Sequence, residues 1–462
     1  MNSPAKHLPI AAFFLFILGI KIAFFLFNGS AGLWWDSSVY IGMSKYLYSG
    51  GESGLWEPSR PVLWPLILGL FWKFGFDYIF LGKLLSIFIS TGSSIVVYLI
   101  SAKYFSKKTA FLAALFFSFS PSIFLSDTLL LTEIISTFFL LLGIYFFLGQ
   151  KNFLSGLFLG ISFMSRFFQI FFALPVILIY LFRIFNKKGA ENYKAMLAFL
   201  IAFSIPAVPY IISNIYYYGD AFYPFSIQIF MTKNTGWRFS QPFSFYFMGI
   251  VRENFLAAFS ILGFWLAVKG RNAEKKYLFV IFILVFALYV LERHKEMRLL
   301  IPLMPFLYIF ASHGIVRLSK IFRKGMIIFM ALVILLWASQ AIPLLNQGDG
   351  KKDAQEFRDY LHSSEIKEGI WISSPLFLAA SDKKAEELIY YPLYNSSRAM
   401  SLRSKINDAH LVMINTCDIL PCPPSDKNCG KETEKFIEAL KQNLRLMHYA
   451  VSGNCIHVVF EK

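Results

Sequence analysis

The sequence predicts an all-α polytopic membrane domain of about 11 transmembrane helices, with interfacial helices in its first outer loop and a small extracytoplasmic α/β domain at its C-terminus. Three observations carry this. Of 462 residues, 56% are hydrophobic and only 16% charged, whereas soluble domains carry about 25% charged residues. Apolar runs of about 20 residues recur through the first three quarters of the chain. The formal net charge is +16, and its excess lies wholly in that apolar part. From Gly348 onward there are 15 basic and 16 acidic residues, against 29 and 12 before it. A chain so apolar is not disordered. No clustered basic face of the kind that binds nucleic acid stands out.

The apolar segments are 8–27, 78–101, 109–126, 129–148, 153–165, 167–185, 194–213, 244–268, 277–291, 299–316 and 325–345. The run 8–27 is long for a signal peptide and no small-residue cleavage site follows, so it counts as a span. The short pair 153–165 and 167–185 suggests a kinked or re-entrant path around Arg166. Segment 61–74 (PVLWPLILGLFWKF) is short, Pro-interrupted and rich in Trp, which suits a helix lying in the membrane interface.

With the N-terminus cytoplasmic, the inner ends and loops hold Lys6, Lys103, Lys107, Lys108, Lys151, Arg183, Lys187, Lys188, Lys194, Lys269, Arg271, Lys275, Lys276, Arg317, Lys320, Arg323 and Lys324. Only Glu191 and Glu274 accompany these 17 cations. Positive charge therefore falls inside at every loop. An odd number of spans then puts the C-terminal domain outside.

The transmembrane domain is assigned to 1–345 and the extracytoplasmic domain to 346–462. In the latter, GIWISSP, HLVMINT and CIHVVFEK look like short buried strands, while 351–362 and 431–444 have helical spacing. All four cysteines, Cys417, Cys422, Cys429 and Cys455, lie here. On an oxidising side they imply two disulfides, with three pairings open; their spacing fits a zinc site poorly. Asn395-Ser-Ser and Asn28-Gly-Ser are sequons on outer segments.

Several polar residues are more than such a fold needs. Asp36 follows two tryptophans at the mouth of the first span, and 37–48 has amphipathic spacing. The carboxylate either caps that helix or serves as a base at the interface. Asp127 and Glu133 lie where the chain re-enters the bilayer; carboxylates at that depth need partners, and Arg166 or Arg60 would suffice. Arg166 itself is flanked by apolar sequence, as a snorkelling or ion-paired arginine would be. From Glu292 to Arg298, six of seven residues are charged or His, held between two spans. Arg298 there is suited to a phosphate, by charge and bidentate geometry. The outer loop 214–243 is rich in aromatic residues, as an interfacial belt or a sugar-stacking surface would be.

These features resemble the integral-membrane glycosyltransferases of the GT-C fold, which use polyprenyl-phosphate sugars. Three stretches are similar to one branch, the lumenal α-mannosyltransferases of N-glycan and GPI-anchor assembly, whose donor is dolichyl-phosphate-mannose. They are LWEPSRPVLWPL (55–66), IYYYGDAFYPF (215–225) and RHKEMRLLIPLMPFL (293–307). The resemblance implies inverting displacement at the anomeric carbon, with Asp36 as general base. Arg298, Lys295, His294 and Arg60 would bind the donor phosphate. Asp127, Glu133, Glu57 and Arg166 would bind sugar or acceptor hydroxyls or a divalent cation, Mg or Mn. The acceptor would be a glycan, lipid or protein, in the ER lumen or at the cell exterior. Two departures stand out: Ser37 follows Asp36 where the family has Glu, and Leu299 follows Arg298 where it has Phe. A protein O-mannosyltransferase-like or lipid-glycosylating enzyme of the same fold has a similar polar layout. A transporter would show internal repeats and charges near the midplane, and neither is found. A non-catalytic receptor would leave the crowded outer loops unexplained.

Overall fold

In a computed structural model, the structure describes residues 8–27, 33–186, 189–319 and, from 360 on, all but 362, 380, 390–394, 420–421 and 453. The expected span at 325–345, the Asn28 sequon and most of the helix expected at 351–362 lie outside these residues. The protein is a mostly helical, multi-pass integral membrane protein with a small mixed sheet near its C-terminus. It divides into two compact units. One takes the described residues of Met1–Ala31, Gly82–Phe222 and Ser240–Gly348; the other takes those of Gly32–Leu81, Tyr223–Phe239 and Asp349–Lys462.

The first unit is the helical bundle. Its described helices are α1 (Leu8–Phe27), then, beyond the segment that carries the second unit's first two helices, α4 (Tyr78–Tyr104), α5 (Lys107–Ser118), α6 (Pro121–Ser126), α7 (Thr132–Leu148), α8 (Asn152–Ser165), α9 (Ile170–Asn186), α10 (Gly189–Tyr218), α12 (Phe245–Glu253), α13 (Ser260–Lys269), α14 (Ala273–Leu291) and α15 (Met304–Ser319). Among described residues, four helical runs are long and apolar enough to cross a membrane: Pro9–Phe27, Tyr78–Tyr104, Phe167–Asn186 and Gly189–Tyr218.

Several expected spans are interrupted, each for a local reason. The run expected as one span at 244–268 is bent by 114°. There Asn254 is extended (φ −158°, ψ 100°), and its side chain accepts from Leu256 N–H at 3.0 Å, capping the turn that follows. The run 109–126 breaks before Pro121, which opens α6. Helix α7 starts at Thr132, after Leu130 has taken a left-handed φ of 54°. At Arg166 the backbone is extended (φ −160°, ψ 116°), which separates α8 from α9 as the short pair suggested.

Small residues let the helices meet closely. A Cβ on Gly156 or Gly160 of α8 would lie 2.1 or 2.4 Å from the carbonyls of Phe199 and Phe203 in α10. On α13 and α15, Gly263 and Gly314 face each other's backbones: a Cβ on Gly263 would sit 1.9 Å from Phe310 O. Backbone cannot yield as a flexible side chain does. Gly263→Ala is therefore expected to cost about 1–3 kcal/mol, read as a lower thermal midpoint in detergent; an unchanged midpoint would refute this contact.

The second unit contains α2 (Trp35–Ser49), α3 (Leu63–Lys73), α11 (Tyr223–Thr235), a five-stranded sheet, α16 (Ser396–Ser404) and α17 (Cys429–Asn443). The strands are β1 (Ile370–Ile372), β2 (Glu387–Leu388), β3 (Leu411–Asn415), β4 (Arg445–Ser452) and β5 (Cys455–Glu461), in the order β2-β1-β3-β5-β4. Strands β2, β1 and β3 run parallel, and β5 pairs antiparallel with β3 and β4. Alternation along the strands gives the sheet two apolar faces. Trp371, Val412, Ile414 and Phe460 pack with Ala399 and Leu402 of α16 and Phe436 and Leu440 of α17. Ile370, Ile372, Met413 and Val459 pack with Val39 and Met43 of α2 and with Leu55. The three strands read from the sequence are β1, β3 and β5. Disulfides join Cys417 to Cys455 and Cys422 to Cys429, which selects one of the three pairings.

Candidate active site

The candidate residues gather into two clusters, one in each unit, with Asp127 apart from both. In the second unit, Asp36 stands in the first turn of α2, a position that favours a negative charge. It is not the helix cap, because the helix begins at Trp35 and Trp34 takes the cap position. The Asp36 carboxylate instead meets Arg60, with Nη2 2.9 Å from Oδ1. Arg60 Nε also donates to Glu57 Oε1 at 2.9 Å, and Ser59 Oγ donates to the same oxygen at 3.0 Å. Glu57 is buried and Asp36 nearly so. Arg60 thus bridges the two carboxylates, and the tight turn from Glu57 to Arg60 is closed by Arg60 N–H donating to Glu57 O.

In the first unit, Glu133 lies in the first turn of α7 and is buried. Arg166 Nη1 stands 2.7 Å from Glu133 Oε1, and Arg298 Nε stands 3.9 Å from it. Arg298 also forms a forked pair with Glu296, at 2.8 Å from Nε and 3.3 Å from Nη2. His294 Nε2 lies 2.7 Å from Glu296 Oε1. Burial alone would raise the Glu296 pKa, but His294 and Arg298 outweigh it and hold the carboxyl at about 2. Lys295 Nζ donates to Gln241 O at 3.1 Å, and His294 pairs with Ser240 in an antiparallel bridge. The loop is therefore tied down at its middle, which leaves little freedom to Arg298.

Asp127 is fully enclosed. Lys21, in the second half of α1, donates to its Oδ2 at 2.7 Å and to Ser90 Oγ at 2.7 Å. The expected partners, Arg166 or Arg60, pair instead with Glu133 and Asp36; a lone lysine inside an apolar run is the signal that would have pointed to Lys21. Glu253 is a second buried carboxylate that the sequence reading did not single out. Ser122 N–H and Oγ donate to it at 3.0 and 2.7 Å, Ser120 Oγ also donates to it, and Tyr308 donates to Ser120 at 3.0 Å.

The donor set does not fit a divalent cation. Asp36 and Glu57 share Arg60, Glu133 holds Arg166, and Asp127 holds Lys21. No group of three or more His, Cys, Asp or Glu stands close enough to hold a metal ion among the described residues.

In the C-terminal part, burial raises the Asp418 pKa to about 6, against the opposing hydrogen bonds of Ser374 and Asn415. The folded state then binds more protons than the unfolded one between about pH 4 and 6, so its stability falls as pH rises through that window. Asp418→Asn is expected to remove this dependence and to stabilise the fold at neutral pH by up to about 3 kcal/mol. Thermal melts at pH 5 and 7.5 check it, and a wild-type protein equally stable at both would refute it.

The bundle, the short helices after the first span and the crowded loop before α15 define a GT-C-fold membrane glycosyltransferase. Solved structures share the fold. ArnT from Cupriavidus metallidurans, bound to undecaprenyl phosphate, aligns over 96% of this chain and 97% of its own, with a TM-score of 0.69 and 11% identity. Archaeal oligosaccharyltransferase AglB from Archaeoglobus fulgidus, in complex with an inhibitory peptide and a dolichol-phosphate, aligns over 89% of this chain and 70% of its own, with a TM-score of 0.65 and 10% identity. Arabinofuranosyltransferase AftD from Mycobacteria covers 97% of this chain and 41% of its own, with a TM-score of 0.57 and 10% identity. No curated protein sequence matches the chain. The chain belongs to the Alg9-like mannosyltransferase family, whose model matches residues 12–365.

Proposed function

We propose that the protein transfers a hexose, mannose by its family, from a polyprenyl or dolichyl phosphate to an acceptor hydroxyl outside the cytoplasm, with inversion. The observation that carries this is the Asp36 carboxylate, held by Arg60 at 2.9 Å in the first turn of α2 in a chain of this family. Asp36 takes the acceptor's proton as the acceptor oxygen bonds to the anomeric carbon. The bond from that carbon to the donor phosphate breaks, and polyprenyl phosphate leaves with the electron pair. Arg298 stabilises the negative charge on the departing phosphate, supported by Lys295 and His294. For Arg298 to do so, the phosphate takes the place that the Glu296 carboxylate holds on its guanidinium. The ligands bound in the ArnT and AglB structures, undecaprenyl phosphate and a dolichol-phosphate, support a donor of this class. The positive-inside pattern supports a cytoplasmic N-terminus and an outer location for Asp36 and the C-terminal sheet, along with about 11 spans.

The test is sugar release from radiolabelled dolichyl-phosphate-mannose by purified protein in lipid, to water or to a pool of glycan and peptide acceptors. Arg298→Ala is expected to lower kcat by about 10²–10³. Wild-type turnover in this variant would overturn the phosphate assignment. Failure of the wild type to bind the lipid would overturn the donor class.

A further inference from the structure

We propose that the C-terminal sheet is a positioning element for the Asp36 carboxylate, with Lys45 as the residue that fixes it; this rests on the catalytic reading of Asp36. The two faces of the C-terminal sheet pack differently among the described residues: α16 and α17 lie on one, and α2 reaches the other. The face of Ile370, Ile372, Met413 and Val459 packs with Leu361, Phe377 and Leu378 of the C-terminal part and also with Val39 and Met43 of α2, more than 300 positions earlier in the chain. The sheet and the helix therefore share one apolar core.

Lys45 anchors that contact. It is fully buried, yet its ammonium donates to three backbone carbonyls, Leu378 at 3.2 Å, Ala379 at 3.3 Å and Ser381 at 2.8 Å. Asp382 Oδ1 stands 3.2 Å away. These carbonyls close the turn after β1 around a single cation, so burial of the charge is offset by a full set of acceptors. The chain after α2 joins the same turn: Gly54 N–H donates to Lys383 O at 2.9 Å and Gly54 O accepts from Ala385 N–H at 2.8 Å. Gly54 has a φ of 80°, and a Cβ on it would lie 2.1 Å from Gly42 O. Helix, loop and turn are thus locked in one register.

The geometry reaches Asp36 through the helix itself. At about 100° per residue, the nine residues from Asp36 to Lys45 put the two on opposite sides of α2. One side grips the C-terminal turn, while the first turn presents its carboxylate to Arg60. Loosening the grip lets the helix roll or slide, and a displacement of about 1 Å at a reacting group costs on the order of 10² in rate.

The experiment compares Lys45→Met and Lys45→Arg with wild type and Asp36→Asn, as full-length protein in lipid. Release of sugar from dolichyl-phosphate-mannose is measured per folded molecule, the folded fraction being set by gel filtration and intact disulfides. Lys45→Met is expected to lower kcat by about 10–100-fold with the donor KM within twofold, and Lys45→Arg, which keeps the donors, to recover most of it. Unchanged kcat per folded molecule in Lys45→Met would overturn the proposal, since a merely stabilising role alters only the folded fraction. A raised KM at unchanged kcat would also overturn it and make the sheet part of a binding surface. If Asp36→Asn keeps wild-type turnover, the catalytic reading itself fails, which is a separate result.

Discussion

Asp36→Asn is expected to reduce sugar transfer by about 10³-fold while leaving donor binding intact. General-base catalysis contributes about 10²–10⁴, and an amide cannot accept the acceptor's proton. The substitution preserves shape, and the carboxamide oxygen can still accept from Arg60, so the fold should hold. What changes is charge: Arg60 loses the ion pair with Asp36 and keeps the one with Glu57. Turnover and the donor KM, measured in one titration, separate the effects. A lower kcat at constant KM marks an interaction made in the transition state. Turnover within a few-fold of wild type would move the base to another carboxylate, and Glu133 would be the next to test.

Lys21→Met is expected to be the most damaging substitution to stability. It leaves the Asp127 carboxylate enclosed with Ser90's partner removed and no cation at 2.7 Å. Breaking one side of a buried pair costs about 3–5 kcal/mol. Replacing both members by apolar groups, as in Lys21→Met with Asp127→Leu, is expected to restore most of that loss, because no buried charge remains. Thermal unfolding in detergent reads both variants. Equal damage from the single and double substitutions would mean that the pair acts through packing rather than charge.

The candidate site was partly legible because buried charge is rare in an apolar chain. Glu133 and Arg166, 33 positions apart, were each conspicuous against apolar neighbours, and they meet at 2.7 Å. The crowded loop from Glu292 to Arg298 was equally visible. Glu296 was less so, since in sequence it is one charge among several, and only its place between His294 and Arg298 shows that it holds both. Arg60 reads as a phosphate ligand by resemblance, yet it pairs with Asp36 and Glu57 because the turn that follows α2 returns it to the start of that helix.

The sequence by itself determined the apolar runs, their interruption at Arg166, the short apolar helix α3, the strands β1, β3 and β5 and the presence of two disulfides. Each follows from local composition, since hydropathy, residue period and cysteine count act over short stretches. The tertiary structure decided what depends on residues distant in the chain. It set the 114° bend at Asn254, where Glu253 is held by Ser120 and Ser122. It paired Cys417 with Cys455, and it packed α2 against one face of the C-terminal sheet. A local pattern shows that a face is apolar; only the folded chain shows which other apolar face excludes water from it.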